Sequence, residues 1–560
     1  MNHRPLPPAG LRLAVKNSTL VLVAVFAFAA TARAEVKLPA LFTDHMVLQQ
    51  GKPVAVWGWA DNGEEVTIEF GKQKVKTTAR DGKWSVKLKP LKASDKSEKL
   101  VVTGKNKVEV NDVVVGEVWI ASGQSNMQWA MSQSTGTADD IKNANSTRLR
   151  LFYVPRVKQD APAADVNAKW THSNPETVKE FSAVAYYFGK DLQEALQVPV
   201  GIIHTSWGGS PAEVWMSEDV LAGNADYQRT ILDSYQTQRT NYENALAQWE
   251  KEKAEAEKAG QEFKKNRPGL GWKPTELYNG MIAPLIPYGI NGAIWYQGES
   301  NAGRAYQYRS LMADLIKNWR RDWGQGDFTF LQVQLAPWDR NKRRSLAEIT
   351  KEPVDSDWAE LREAQVHVTK VLPKSGIAVI TDVGDKDDIH PGQKKPVGQR
   401  LALAAQAIAY GKKLNYSGPM YKSVKFDDGK AVISFDHTAK GLAAGKPSSV
   451  TLPGGEAATI TSPVTPAAEK LTSYGGDVEI LVGSDAKLTG FQIAGEDKIF
   501  HWADAVIRGK TVVVSSPNVP KPTSVRYGWS DYPVVNLYNS AGLPASPFRT
   551  DDWPGVTWPK

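Results

Sequence analysis

The 560-residue chain contains no cysteine. It can therefore form no disulfide, bind no metal through thiolates and use no cysteine nucleophile. Only eight residues are histidine, so the search for a catalytic base is short. Beyond residue 34 no apolar run is long enough to span a membrane, and no cluster of Lys and Arg indicates a nucleic-acid partner.

The N-terminus has the order of a secretory signal peptide. Three basic residues precede an apolar run at 20–30, and Ala32-Arg33-Ala34 has the A-x-A form of a cleavage site. We predict that residues 1–34 are removed and that the mature protein is secreted or periplasmic. Removal takes away four basic residues and no acidic ones, which lowers the formal charge from +7 to +3.

The remaining chain is too long for one hydrophobic core and divides by pattern into three parts. Residues 35–112 show short alternating strands with Gly, Asn and Asp turns, which predicts a small β-sandwich. Residues 113–410 alternate apolar strands with helices, which predicts an α/β domain with a mostly parallel sheet and helices on both faces. A helical insertion is predicted within it at about 218–268, and residues 411–560 return to β signals.

Four polar stretches directly follow predicted strands of the α/β domain. Because the carboxyl ends of parallel strands meet at one edge of the sheet, we expect these stretches to converge there. They are Ser122–Asn126, Ser206–Ser210, Gln297–Asn301 and Gly384–His390.

The side chains of these stretches complement each other chemically. Ser125 is a candidate nucleophile, but a serine hydroxyl needs a base beside it. His390 is the histidine that follows the last strand, and Asp387 and Asp388 precede it, so a carboxylate can hold its ring. The alternative is a solvated, Asp-rich turn with an incidental histidine.

Acyl transfer also needs hydrogen-bond donors for the developing oxyanion. Candidates are the backbone N–H of Ser125, that of Gly208 or Gly209, and the side-chain amide of Gln297. The glycines are also explained by a tight turn, and Gln297 and Asn301 by capping of the following helix. Glu299 is expected to orient this loop or brace Gln297.

Several familiar signatures are missing. The serine lies in G-Q-S-N-M rather than in the G-x-S-x-G elbow of α/β-hydrolases, and phosphate-binding glycine loops are absent. No second ligand at recognisable spacing accompanies the Asp pair before His390. We therefore predict no cofactor and no metal.

The four motifs together resemble a known family. GQSNM, SWGGSPAEVW, WYQGESNA and DIHPGQK are similar to the sialate O-acetylesterase-related branch of the SGNH hydrolases, and the resemblance covers nearly the whole mature chain. It implies a flavodoxin-like three-layer α/β/α catalytic domain and a serine esterase that removes acetyl groups from sugar hydroxyls.

The resemblance also assigns roles within the site. It implies Ser125 as nucleophile, His390 as base and Gly209 in preference to Gly208 in the oxyanion hole. Many SGNH enzymes have Asn in the third motif, so Gln297 takes that role here, with Asn301 as the second candidate. The general pattern makes Asp387 the third triad member, whereas the D-I-H-P form of this branch points to Asp388.

The substrate is less well specified by the sequence. A sialic acid carries a carboxylate, for which a basic side chain is expected, and Arg304 and Arg526 are candidates, with Glu299 as a further substrate contact. Both arginines are equally explained by structural roles. Sialate O-acetylesterase activity, with 9-O-acetyl sialic acid as substrate, is predicted first. The alternative substrate is acetylxylan or another plant polysaccharide. Two alternatives of a different class are a non-catalytic carbohydrate-binding protein and a broader lipase or peptidase.

Overall fold

The computed structural model describes residues 35–446 and 487–559, together with short strands at 450–451, 457–458, 469–472 and 479–482. The predicted signal peptide, residues 1–34, lies outside the described residues. In the described part of the chain, no helix combines the length and apolarity needed to cross a bilayer.

The N-terminal region is built from strands with apolar residues on alternate positions, as in Val54 and Val56, which are buried. Strands β3, β4 and β6 pair side by side and join β7, while β2 pairs with β5. The strands are β1 (Val47–Gln49), β2 (Val54–Trp59), β3 (Glu65–Phe70), β4 (Gln73–Thr78), β5 (Lys83–Leu88), β6 (Ser94–Thr103) and β7 (Lys107–Gly123).

Strand β7 continues without a break past residue 112 into the main sheet. The sheet order is β13-β12-β11-β7-β10-β8-β9, with every pair parallel except β8 and β9. The further strands are β8 (Ser146–Tyr153), β9 (Trp170–Ser173), β10 (Val200–Ser206), β11 (Gly292–Tyr296), β12 (Thr329–Val333) and β13 (Ser375–Ala378).

Helices pack on both faces of this sheet. The helices are α1 (Ser125–Gln128), α2 (Ala138–Lys142), α3 (Pro175–Lys179), α4 (Ala183–Leu196), α5 (Glu218–Ala222), α6 (Ala225–Tyr227), α7 (Ser234–Lys258), α8 (Ala305–Trp323), α9 (Leu346–Ile349), α10 (Asp357–Val371) and α11 (Lys395–Ile408). On β7, Trp119 packs in one core with α4 and α11, and its neighbour Ile120 packs in another with α8 and α10. The predicted α/β alternation is confirmed.

The predicted insertion contains α5, α6 and α7, the last two joined by a π-helical segment. Helix α7 is 25 residues long, and Tyr235 is its buried residue. Its Glu- and Lys-rich second half is exposed, as expected for a solvated helix face.

The C-terminal region is β-rich and has a core of its own, which includes Ile433 and Val514. It is joined to the α/β region by Arg362 of α10, which is fully buried and donates to the carbonyls of Ser530 and Asp531 at 2.7 and 2.8 Å. Its strands are β14 (Met420–Asp427), β15 (Lys430–Asp436), β16 (Leu442–Lys446), β17 (Val450–Thr451), β18 (Ala457–Ala458), β19 (Glu469–Thr472), β20 (Glu479–Val482), β21 (Phe491–Ala494), β22 (His501–Trp502), β23 (Asp504–Arg508), β24 (Thr511–Ser515), β25 (Ser524–Tyr527), β26 (Leu537–Asn539) and β27 (Phe548–Arg549).

The contact between α4 and α11 depends on Gly398. A Cβ at this position would lie 2.7 Å from both the Tyr187 Cβ and the Val184 carbonyl oxygen, closer than a Cβ atom approaches non-bonded atoms in folded proteins. We predict that Gly398→Ala separates the helices, costs about 1–3 kcal/mol and lowers the midpoint of thermal unfolding. Gly303→Ala is the control, since no atom lies within 4 Å of the position that its methyl group would take; an equal loss in both variants would contradict this packing.

Candidate active site

Three of the four polar loops leave neighbouring strands at the carboxyl edge of the sheet. Strand β7 lies between β10 and β11, so their following residues start side by side. Backbone hydrogen bonds join them: the Gln124 N–H donates to the Tyr296 carbonyl at 3.0 Å, and the Trp207 N–H to the Gly123 carbonyl at 3.1 Å. Backbone hydrogen bonds alone thus fix the arrangement of these three loops.

A sharp turn from β7 into α1 places Ser125. Gly123 has φ +138°, and a Cβ there would lie 2.2 Å from the Tyr296 carbonyl oxygen, so the turn requires glycine. Ser125 is the first residue of α1, where a helix N–H has no partner within the helix. Ser125 is partly exposed, whereas Ser122 on the strand is fully buried.

The structure brings Ser125 and His390 into direct contact. The Ser125 Oγ and the His390 Nε2 are 2.8 Å apart, although 265 residues separate them in sequence. The indole of Trp129 stacks on the imidazole with ring centroids 4.7 Å apart and planes 14° from parallel. This arrangement fits a neutral imidazole that accepts the serine proton.

Of the two predicted acids, Asp388 lies nearer the imidazole. Its Oδ1 is 3.6 Å from the His390 Nδ1, which is beyond hydrogen-bonding distance, and accepts the backbone N–H of His390 at 2.8 Å. Asp387 instead pairs with Lys386. Asp388 therefore acts on His390 through its charge and by shaping the loop.

Asn126, next to the nucleophile, connects the loop of Ser125 to the loops that carry Glu299 and His390. Its amide nitrogen donates to Glu299 Oε1 at 2.6 Å and to the Ile389 carbonyl at 3.0 Å, and its oxygen accepts from the ammonium of Lys394. Asn126 and Lys394 are both buried. Glu299 thus contacts Asn126 rather than Gln297, which fits the predicted role of orienting the loop; its predicted contact with substrate stays a prediction.

The buried charges affect the base. Burial lowers the pKa of His390 below its ordinary value of 6.5, and the charge of Lys394 lowers it further, while Asp388 opposes the change. Burial also lowers the pKa of Lys394 to about 7 and raises that of Glu299. The site therefore favours a neutral His390, the form required for a general base.

The structure places Gly208, rather than the preferred Gly209, beside the nucleophile. A Cβ on Gly208 would lie 3.2 Å from the Ser125 Cβ, whereas no atom lies within 4 Å of that position on Gly209. The Gly208 N–H donates to the Gln128 Oε1 at 2.8 Å. A substrate oxygen would have to replace Gln128 to use this donor.

Gln297 and Asn301 are buried, and their hydrogen bonds differ from the predicted oxyanion role. Both Gln297 amide hydrogens are engaged, with the Ser210 carbonyl at 3.3 Å and the Asn301 Oδ1 at 2.6 Å. Asn301 in turn donates to Glu213 at 2.9 Å. These amides fasten the second and third loops together, and the oxyanion donors that remain are the N–H groups of Ser125 and Gly208.

The two predicted substrate arginines have structural partners. Arg304 forms an ion pair with Glu213. Arg526 is buried and pairs with Asp551 at 2.9 Å and with Asp355 at 3.0 Å. Both guanidinium groups are thus engaged in ion pairs, that of Arg526 in a buried position and that of Arg304 with 36% of its side chain exposed; their predicted contact with a substrate carboxylate stays a prediction.

A different arginine lies next to the nucleophile helix. Arg156 and Gln128 line one cavity of about 460 Å³, together with Tyr153 and Phe181. Arg156 is exposed and, within the part of the chain that the structure describes, has no acidic partner. It lies over the ring of Trp207, at 5.9 Å from the centroid.

Sequence reasoning missed four residues: Asn126, Gln128, Trp129 and Lys394. The first three lie in or directly after the GQSNM motif, and Lys394 follows His390 by four positions. Their positions within or close to the motifs could have marked them as candidate site residues. Their roles depend on burial and on partners from other loops, which the sequence pattern does not contain.

Comparison with known proteins gives three consistent matches. A family model described as "Carbohydrate esterase, sialic acid-specific acetylesterase" matches residues 258–406. Human sialate O-acetylesterase is 28% identical over 432 residues, covering 70% of this chain and 75% of the relative; the mouse enzyme is 29% identical over 428 residues, covering 68% and 75%. The crystal structure of a carbohydrate acetylesterase from Xanthomonas citri is 36% identical, with a TM-score of 0.73 over 93% of this chain and all of that one.

We predict that Ser125→Ala lowers kcat for ester hydrolysis by a factor on the order of 10³ or more, because no other hydroxyl contacts His390 in the described structure. The measurement is acetate release from nitrophenyl acetate, with thermal unfolding as the check on folding. Ser122→Ala is the matched control and retains turnover. A folded Ser125→Ala protein with normal kcat would exclude Ser125 as nucleophile.

The acid limb of kcat/KM is predicted to lie below pH 6.5, because the free-enzyme pKa of His390 is lowered and the neutral ring is the active form. Asp388→Asn removes a charge that raises this pKa, so the limb moves to lower pH and kcat falls by about tenfold. Asp387→Asn leaves the position of the limb and kcat nearly unchanged. A limb that shifts with Asp387 but not with Asp388 would reverse the assignment.

Proposed function

The chain belongs to the sialate O-acetylesterase-related family of carbohydrate acetylesterases, and we propose that it is a serine esterase that removes O-acetyl groups from carbohydrates. The observation that carries this proposal is the 2.8 Å contact between Ser125 Oγ and His390 Nε2 at the carboxyl edge of the sheet. The arrangement of loops, with Ser125 on the first and His390 on the last, supports assignment of the catalytic region to the SGNH three-layer type.

Acylation follows from these positions. His390 accepts the Ser125 proton as the oxygen attacks the acetyl carbonyl, and the resulting oxyanion receives hydrogen bonds from the N–H groups of Ser125 and Gly208. The acetyl oxygen takes the Gly208 N–H from Gln128. The carbon–oxygen bond to the sugar then breaks, and the sugar hydroxyl leaves with the proton from His390.

Deacylation repeats the same steps with water. His390 removes a proton from water, the hydroxide attacks the acetyl-serine, and acetate leaves as Ser125 regains its proton. No cofactor takes part in these steps. The indole of Trp129 stacks on the imidazole with ring centroids 4.7 Å apart and so holds the plane of the His390 ring.

Arg156 supports an O-acetylated sialic acid as the substrate. A guanidinium binds a carboxylate through paired hydrogen bonds, and Arg156 is exposed beside the cavity shared with Gln128. The predicted carboxylate partners Arg304 and Arg526 are engaged in ion pairs, so we propose Arg156 for this role. We propose the 9-O-acetyl ester of sialic acid as the bond cleaved; the human and mouse relatives are named sialate O-acetylesterases.

A neutral acetylated plant polysaccharide, such as acetylxylan, is the second candidate. The partly exposed rings of Trp207 and Trp272 meet edge to face with centroids 5.4 Å apart, next to the Gly208 loop. Sugar rings stack on such aromatic faces. The Xanthomonas protein, 36% identical over 93% of this chain, is described as a carbohydrate acetylesterase, which supports an acetylated carbohydrate as the substrate.

The other classes have less support. A non-catalytic carbohydrate-binding protein requires no Ser–His contact. A lipase requires an apolar acyl cleft, whereas the cavity beside the nucleophile helix has a mixed lining, in which Ala130, Tyr153 and Phe181 alternate with Gln, Arg, Thr and Glu side chains. We also propose that residues 1–34 direct export to the periplasm or the medium.

The substrate proposal is tested by acetate release from 9-O-acetyl sialic acid and from acetylxylan. For the sialic acid, Arg156→Ala is predicted to raise KM about tenfold or more with little change in kcat, because a charged hydrogen-bonded contact is lost. Turnover of acetylxylan and nitrophenyl acetate stays unchanged. Arg80→Ala, an exposed arginine of the N-terminal region, is the control.

If the enzyme prefers acetylxylan and Arg156→Ala leaves kcat/KM for the sialic acid unchanged, the polysaccharide becomes the favoured substrate and the sialic acid proposal is wrong. Sugar binding without hydrolysis of any ester, unchanged in Ser125→Ala, would exclude the esterase.

A further inference from the structure

A cluster of histidine and aspartate lies where the N-terminal region meets the catalytic sheet. His45 precedes β1, Asp112 lies within β7, and His172 lies on the edge strand β9. One potential ligand atom from each residue lies within 4.8 Å of the other two. We propose that these three residues bind a divalent transition-metal ion, with Zn²⁺ as the best-fitting ion.

The geometry is close to that of a three-ligand site. The His45 Nδ1 and the His172 Nε2 each lie 2.7 Å from the same atom, Asp112 Oδ2. In a tetrahedral zinc site with bonds near 2.0–2.1 Å, neighbouring ligand atoms are about 3.3 Å apart. Outward shifts of roughly half an ångström thus admit an ion. Two imidazoles and one carboxylate are ligands that Zn²⁺ accepts readily.

A second layer of contacts fixes the carboxylate. Arg150, which is buried, donates to the other oxygen, Asp112 Oδ1, at 3.0 Å. This leaves Oδ2 for the ion and sets the direction of its lone pairs.

The backbone of the cluster is constrained. His45 has φ 71° and Asp112 has φ 52°, so two of the three residues belong to the ten described non-glycine residues with positive φ. Such conformations cost free energy and concentrate where a side chain must be aimed. Both side chains converge on one point from different elements, as a metal site requires.

An ion can reach this site from solvent. The exposed fractions of the side chains are 43% for His45, 31% for His172 and 25% for Asp112. Solvent therefore supplies the fourth ligand. The positive charge of Arg150 opposes a cation, which favours moderate rather than extreme affinity.

The site is remote from the catalytic serine. Asp112 lies eleven residues before Gly123 on β7, roughly 35 Å at the usual rise of a strand. A metal here would connect the edge strand β9 to β7 and to the segment before β1. Its effect is thus on the stability of this junction, and it is independent of the esterase reaction.

The test is titration of the untagged, full-length protein with ZnCl₂ by calorimetry. We expect one ion per chain with micromolar or tighter affinity, and binding weakened at least tenfold in both His45→Ala and His172→Ala. Zn²⁺ should raise the midpoint of thermal unfolding of the wild type but not of these variants. His367→Ala and His390→Ala are the controls and should bind as the wild type does.

Three results would overturn the proposal: no binding at 100-fold molar excess of Zn²⁺ over protein, unchanged binding in both cluster variants, or loss of binding only in His390→Ala. Circular dichroism of each variant establishes that it is folded. If His45→Ala alone fails to fold, His45→Gln and His172→Gln serve as the second pair, because glutamine keeps a hydrogen bond to Asp112 but is a poor zinc ligand.

Discussion

The structure depends on strand β7, which belongs to two sheets at once. Its first half pairs with β6 and β1 in the N-terminal region, and its second half lies between β10 and β11 in the main sheet. At its end, Gly123 is pressed against Tyr296, and the chain turns directly into α1. Because the nucleophile follows two residues later, the position of Ser125 is set by the packing of both regions.

Buried polar contacts connect the turn after β7 to the other loops of the site. Asn126 links the serine turn to Glu299 and to the loop of His390, and Lys394 completes the contact. An unpaired charge in such a place is costly, so the pair of opposite charges and the amide between them must remain together. Burial and, after it, the charge of Lys394 lower the pKa of His390, so one of the groups that hold the loops together also favours the neutral base.

The sequence predicted the parts of the site that follow from strand order. Ser125 and His390 come from loops at one edge of a parallel sheet, and the alternation of strands and helices indicated that edge. Gln297 and Asn301 were assigned to the oxyanion from their motif, but their amides turn to Ser210 and Glu213. Arg304 and Arg526 likewise form ion pairs with residues distant in sequence. Such orientations are decided by tertiary partners, which local pattern does not specify.

The central claim is that Ser125 is the acylated residue, activated by His390. The most direct measurement is covalent labelling with a fluorophosphonate, followed by peptide mass spectrometry and assay of the remaining esterase activity. We expect one label per chain, on Ser125, loss of activity in proportion to labelling, and strongly reduced labelling in His390→Ala. Label on another residue, or full activity in quantitatively labelled protein, would contradict the account.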